Sequence, residues 1–156
     1  MRKYTSLLLG LCIMALTFPV LGADEDPNLL LIKARKGEMN MRAMYATPLF
    51  MMAKGKIPYD AEQAQKLANS LKALMDIDMG MAWEADTGKD KYPKDTHSLP
   101  EIWSTYPAVA DKGKEYAAAV NAFAEVAGGG LEQLRSKIGD LGDGCKGCHD
   151  DFREKE

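Results

Sequence analysis

The sequence predicts an all-α protein, an antiparallel four-helix bundle, from three observations. Apolar residues recur at alternating spacings of three and four over several long segments, and no segment shows the period-two alternation of a half-buried strand. Composition agrees: the chain is rich in Ala and holds 10 Met, while aromatics make up 8% and Pro numbers 7, a balance that favours helices over strands. A length of 156 residues at 46% hydrophobic and 28% charged suits one globular domain.

Residues 1–23 read as a secretory signal peptide, with the remaining 24–156 forming the bundle. Arg2 and Lys3 precede an apolar run from Leu7 to Phe18, and Val20-Leu21-Gly22-Ala23 offers a cleavage site after Gly22 or Ala23. The run is about a dozen residues, short of the roughly 20 that a spanning helix needs, so no membrane span is expected after cleavage. Cys12 leaves with this segment, because the large Leu11 before it does not suit a lipoprotein signal. The full chain carries 20 basic and 23 acidic residues, a net charge of -3. Loss of Arg2 and Lys3 leaves 18 against 23, or -5, which excludes the polycationic character of a nucleic-acid binder. The expected compartment is the periplasm.

Four helices follow in order. Leu29 to about Lys54 forms the first, with Pro48 as a kink and Gly55 as a left-handed C-terminal cap. At 100° per residue, Ile32, Met39, Ala43, Ala46 and Phe50 share one stripe, while Met41, Met44, Pro48, Met51 and Met52 lie roughly opposite. Asp60 is the expected N-cap of the second helix, where Ala64, Leu67, Leu71 and Leu74 keep the rhythm. Gly80 to Pro100 is polar and aperiodic, a long connection. From about Pro107, the positions Val109, Tyr116, Val120, Phe123 and Ala127 mark a third helix that Gly128-Gly129-Gly130 ends. The last is the most regular: Leu131, Leu134, Ile138, Leu141, Cys145, Cys148 and Phe152 put both remaining cysteines on its buried stripe. Such a set of amphipathic helices packs as a bundle.

Cys145-Lys146-Gly147-Cys148-His149 is a C-x-x-C-H sequence, the attachment signature of haem c. Two thiols add to the two porphyrin vinyl groups, and the adjacent His149 is then held beneath the iron as its ligand. A disulfide across two intervening residues would constrain the unfolded chain little. A thioredoxin-like pair wants a βαβ unit, and a zinc site wants four ligands where His97, in the long connection, is the only other donor of that kind. The opposite axial face must be walled by a facing helix. Met39, at the centre of the first stripe, carries a thioether able to bind iron; Met41 and Met44 on the other face remain arguable, and Met is often core filler. No nucleophile or acid–base pair stands out, so no enzyme activity is expected.

Over essentially the whole mature chain the sequence resembles the class II c-type cytochromes, the cytochrome c′ and cytochrome c-556 family. The resemblance rests on Arg35-Lys36-Gly37-Glu38-Met39, Lys54-Gly55-Lys56-Ile57-Pro58-Tyr59-Asp60, Pro100-Glu101-Ile102-Trp103-Ser104, and Cys145 to His149 followed by Phe152-Arg153. It implies a four-helix bundle with one covalent haem c, and it divides at the position filled here by Met39. Members resembling cytochrome c-556 carry Met there and are six-coordinate, low-spin electron carriers. Members resembling cytochrome c′ carry a bulky apolar residue and leave the iron open to nitric oxide or carbon monoxide.

The Met at this position implies a periplasmic one-electron carrier with His149 and Met39 as axial ligands, the gas-binding protein being the alternative. The resemblance also implies that Arg35 lies near a haem propionate and that Arg153 stands beside the proximal histidine. Lys36 replaces the Gln of some members. Tyr116 and Phe123 are candidate haem-wall aromatics, with core packing the competing reading. Expected partners are periplasmic redox proteins with basic docking faces, met through small interfaces. The second Met-rich stripe offers a homodimer contact.

Overall fold

A computed structural model describes residues 26–155; the expected signal peptide lies outside them. The described chain is helical: α1 (Pro27–Ala53), α2 (Ala61–Ala73), the single turn α3 (Glu101–Ser104), α4 (Ala108–Ala124) and α5 (Leu131–Phe152). Helix α1 packs on α2 and α5, and α4 packs on α5 and α2. The four long helices thus close a ring around one core, and the four-helix bundle stands.

Local chemistry sets the helix ends. Asp26 accepts a hydrogen bond from the Asn28 amide at 2.9 Å, with Pro27 in the first turn where a missing N–H costs nothing. Asp60 does the same for Gln63 at 2.8 Å. Helix α1 ends in a Schellman motif: Gly55, at φ +67°, donates to the Met52 carbonyl and Lys56 donates to Met51. The helix runs through Pro48 without a break.

The core is built from Leu49 and Met52 of α1, Ala64, Ala68 and Leu71 of α2, Tyr116, Val120 and Phe123 of α4, and Leu134 and Leu141 of α5. It corrects the sequence reading of α1. The buried positions there are Ile32, Arg35, Glu38, Ala46, Leu49 and Met52, whereas Ala43 is exposed. Met52, placed by periodicity on the outer face, is 1% exposed. Two of the six buried positions are charged, so apolar periodicity alone rotates the stripe away from its true axis.

The two ends of the bundle are tied differently. At one end the Tyr59 hydroxyl donates to the Ala127 carbonyl at 2.9 Å and accepts from the Gly130 amide at 3.0 Å. Gln65 adds bonds to Ala124 and Gly128, locking the α1–α2 turn to the α4–α5 turn. At the other end lie the start of α1, the start of α4 and the C-terminus of α5. There a 3₁₀ turn at Leu74–Asp76 follows α2, and the long connection, which opens with a second at Gly80–Trp83, folds back over the end of α5. Leu99 donates to the Phe152 carbonyl and Glu154 to the His97 carbonyl.

Candidate functional site

Helix α5 carries Cys145, Cys148 and His149 in its last two turns, each partly buried. The Leu131–Phe152 heptads place the cysteines inward, and Cys145 packs against the core cluster. Both are free thiols. Burial pushes both thiols up from their usual range, so they stay protonated. Burial, then the charges of Arg153 and Arg42, holds His149 below the ordinary imidazole range. A neutral imidazole keeps the lone pair a metal needs. Two reduced thiols one turn apart beside a neutral imidazole are the donor set that haem c attachment requires.

Gly144 sets how closely α4 approaches this turn. A Cβ there would lie 3.2 Å from the Tyr116 Cα and 3.3 Å from its Cδ2, so any larger residue would have to push Tyr116 back by a few tenths of an ångström. Desolvation pushes the Tyr116 phenol up to about 12. Phe123, the other aromatic of that stripe, is fully buried in the core.

From α1, Met39 is half-buried, between the buried Glu38 and the partly buried Arg42 one turn on. Glu38 is 3% exposed and forms an ion pair with the Arg42 Nε. The Arg42 guanidinium lies 4.8 Å from the centre of the Tyr116 ring. Glu38 and Arg42 carry no apolar signal; the i, i+4 spacing of their opposite charges is what marks them in the sequence.

Arg35 is 2% exposed and reaches the long connection. Its terminal nitrogens donate to the Thr87 hydroxyl, to the Thr87 carbonyl at 2.7 Å and to the Ala82 carbonyl at 2.9 Å. Trp83 and Trp103 flank it at 4.9 and 6.0 Å, and the Trp103 indole donates to the Trp83 carbonyl. Its Nε–H is buried without a partner. Such a donor fits a carboxylate acceptor, the chemistry of the propionate expected here. Arg153 follows the last turn of α5, is exposed, and pairs by its backbone with Ser98. His97 does not join the site: its ring contacts Glu154 at 3.1 Å. Lys36 donates to the Asp95 carbonyl at 3.1 Å, again tying α1 to the long connection.

Comparison with known proteins matches residues 31–153 to the family model described as Cytochrome C′. A cytochrome c′ of Cereibacter sphaeroides is 35% identical over 148 residues, covering 95% of this chain and 97% of the relative. A cytochrome c-554 of the same organism is 34% identical over the full length of both. Among solved structures, a cytochrome c′ from Rhodobacter Spheriodes superposes with a TM-score of 0.81 at 36% identity, covering 85% of this chain and all of that one. A nitric oxide complex of a mutant cytochrome c prime from Alcaligenes xylosoxidans gives 0.72 at 28% identity, over 83% and 97%. With bundle, thiols and imidazole already in place, these matches decide the family: the chain belongs to the cytochrome c′ family of class II c-type cytochromes, whose cofactor is covalently bound haem c.

Proposed function

We propose that this haem c cytochrome is periplasmic and binds a small gas, nitric oxide or carbon monoxide, at the iron that His149 would ligate. The observation that carries this reading is near-full-length similarity to proteins named cytochrome c′, a mutant of one of which, matching 83% of this chain, is solved as its nitric oxide complex. When bound, the haem supplies an iron that changes oxidation state by one electron and takes diatomic ligands.

The chain's own residues do the rest. Cys145 and Cys148 would tether the cofactor, and His149, its imidazole kept neutral by burial and nearby cations, would ligate its iron. Arg35 has one buried N–H left that would suit a propionate, and the half-buried Met39 of α1 would add thioether bulk near the iron. The electron-carrier role of such cytochromes stands beside gas binding and needs no acid–base machinery.

A second reading keeps Met39 as the sixth ligand. It is favoured by the half-buried thioether on α1. Substitution Met39→Leu separates the two. If gas binding is the function, the ferrous spectrum of the purified protein is high-spin before and after the change. A spectrum that turns from low- to high-spin on substitution establishes the second reading.

A homodimer through α1 is part of the proposal. Met41, Met44 and Met51 stand on its outer face, Met44 57% exposed, and adaptable Met side chains suit a packed interface. The expected signal peptide supports export, and no helix among the described residues is long and apolar enough to cross a membrane.

A further inference from the structure

We propose that Arg42 is a tuning residue of the haem site, a fixed cation oriented by Glu38 and Tyr116 that favours the reduced cofactor. The inference rests on haem attachment at Cys145 and Cys148, and holds whether or not Met39 binds iron. Three contacts define the position. Glu38, buried one turn earlier on α1, holds the Arg42 Nε. The Tyr116 ring lies beneath the guanidinium, and that same Tyr116 rests against Gly144, next to the first tethering cysteine. The terminal nitrogens of Arg42, which carry four of its five N–H groups, make no hydrogen bond among the described residues.

The two charges of the pair are not equivalent at the site. It is the guanidinium that lies over the Tyr116 ring, 4.8 Å from its centre, and Tyr116 packs against Gly144 beside the first tethering cysteine, while Glu38 holds the Arg42 Nε from α1. The guanidinium is therefore the nearer charge to the tether. Passing from ferric to ferrous haem adds one electron and removes one positive charge. A cation held close, in a region of low dielectric, opposes the oxidised form more than the reduced one. Arginine suits the task because its charge persists at any pH the protein meets and its planar group stacks on Tyr116.

The test is the midpoint potential of the purified haem protein at pH 7, with circular dichroism to check folding. Arg42→Gln should lower the potential, and Arg42→Lys should retain most of it. Glu38→Gln, which keeps the guanidinium, should raise it, so the test survives if one variant fails to fold. The double variant removes both charges and should still lie below the parent, because the nearer charge is the cation. An unmoved potential in Arg42→Gln, a fall in Glu38→Gln, or a double variant above the parent would overturn the proposal. Packing damage would shift Arg42→Gln and Glu38→Gln in the same direction. A preparation lacking covalent-haem absorption would instead strike the attachment site, which distinguishes that failure from an error about Arg42.

Discussion

Arg35 and Thr87, 52 positions apart, are joined by two hydrogen bonds from one guanidinium, to the hydroxyl and to the carbonyl of the same threonine. Thr87 in turn donates its hydroxyl to the Glu84 carbonyl at 2.7 Å. The pair fastens the long connection to α1 one turn before Met39, so the segment without helical period is held by side chain to backbone contacts.

Replacing Arg35 by Leu leaves the Thr87 and Ala82 carbonyls without their buried donor and removes the stack between Trp83 and Trp103. The expected loss is about 3 to 5 kcal/mol of unfolding free energy, read by denaturant titration. Thr87→Val removes only the hydroxyl and should cost about 1 to 2 kcal/mol. Equal and negligible losses would show that the connection is fastened elsewhere.

Two glycines of α5 should respond with opposite signs. Gly139 has open space where a Cβ would stand, so Gly139→Ala should stabilise by about 0.5 to 1 kcal/mol through helix propensity. Gly144 faces Tyr116 at contact distance, and Gly144→Val should cost about 1 to 3 kcal/mol by forcing α4 from α5. Thermal unfolding of the two variants side by side checks the contrast.

Tyr116 gives a pH signature. Its phenol is raised from 10.0 to about 12, chiefly by burial, so the folded state holds this proton more tightly than the unfolded chain. The corresponding stability is present below pH 10 and is lost as pH rises from 10 through 12. Ultraviolet titration should show a tyrosine ionising near 12 that disappears in Tyr116→Phe. Retention of that step in the variant would assign it to another tyrosine.

How much of this was legible beforehand differs by helix. Helix α5 was read to its ends, because its core positions are all apolar or cysteine and its motif is contiguous. In helix α1, Ile32 and Ala46 lie on the inner face as the apolar stripe predicts, but Arg35, Glu38 and Arg42 also occupy inward positions that apolar periodicity treats as outward. Ala43, read as room for the cofactor, is exposed, and Met52, read as outward, is core. The turn α3 and the two 3₁₀ turns lay below any periodic signal, since four residues or fewer show no repeat. The use of Arg35 as an anchor for Thr87 depends on a contact across 52 residues, which no local pattern encodes.

Absorption spectroscopy of the ferrous protein at neutral pH, before and after carbon monoxide, decides whether the haem iron is open to a gas. The expected result is a high-spin ferrous spectrum that converts on adding the gas, with the covalent haem retained in denaturant. A low-spin ferrous spectrum that carbon monoxide leaves unchanged would contradict it.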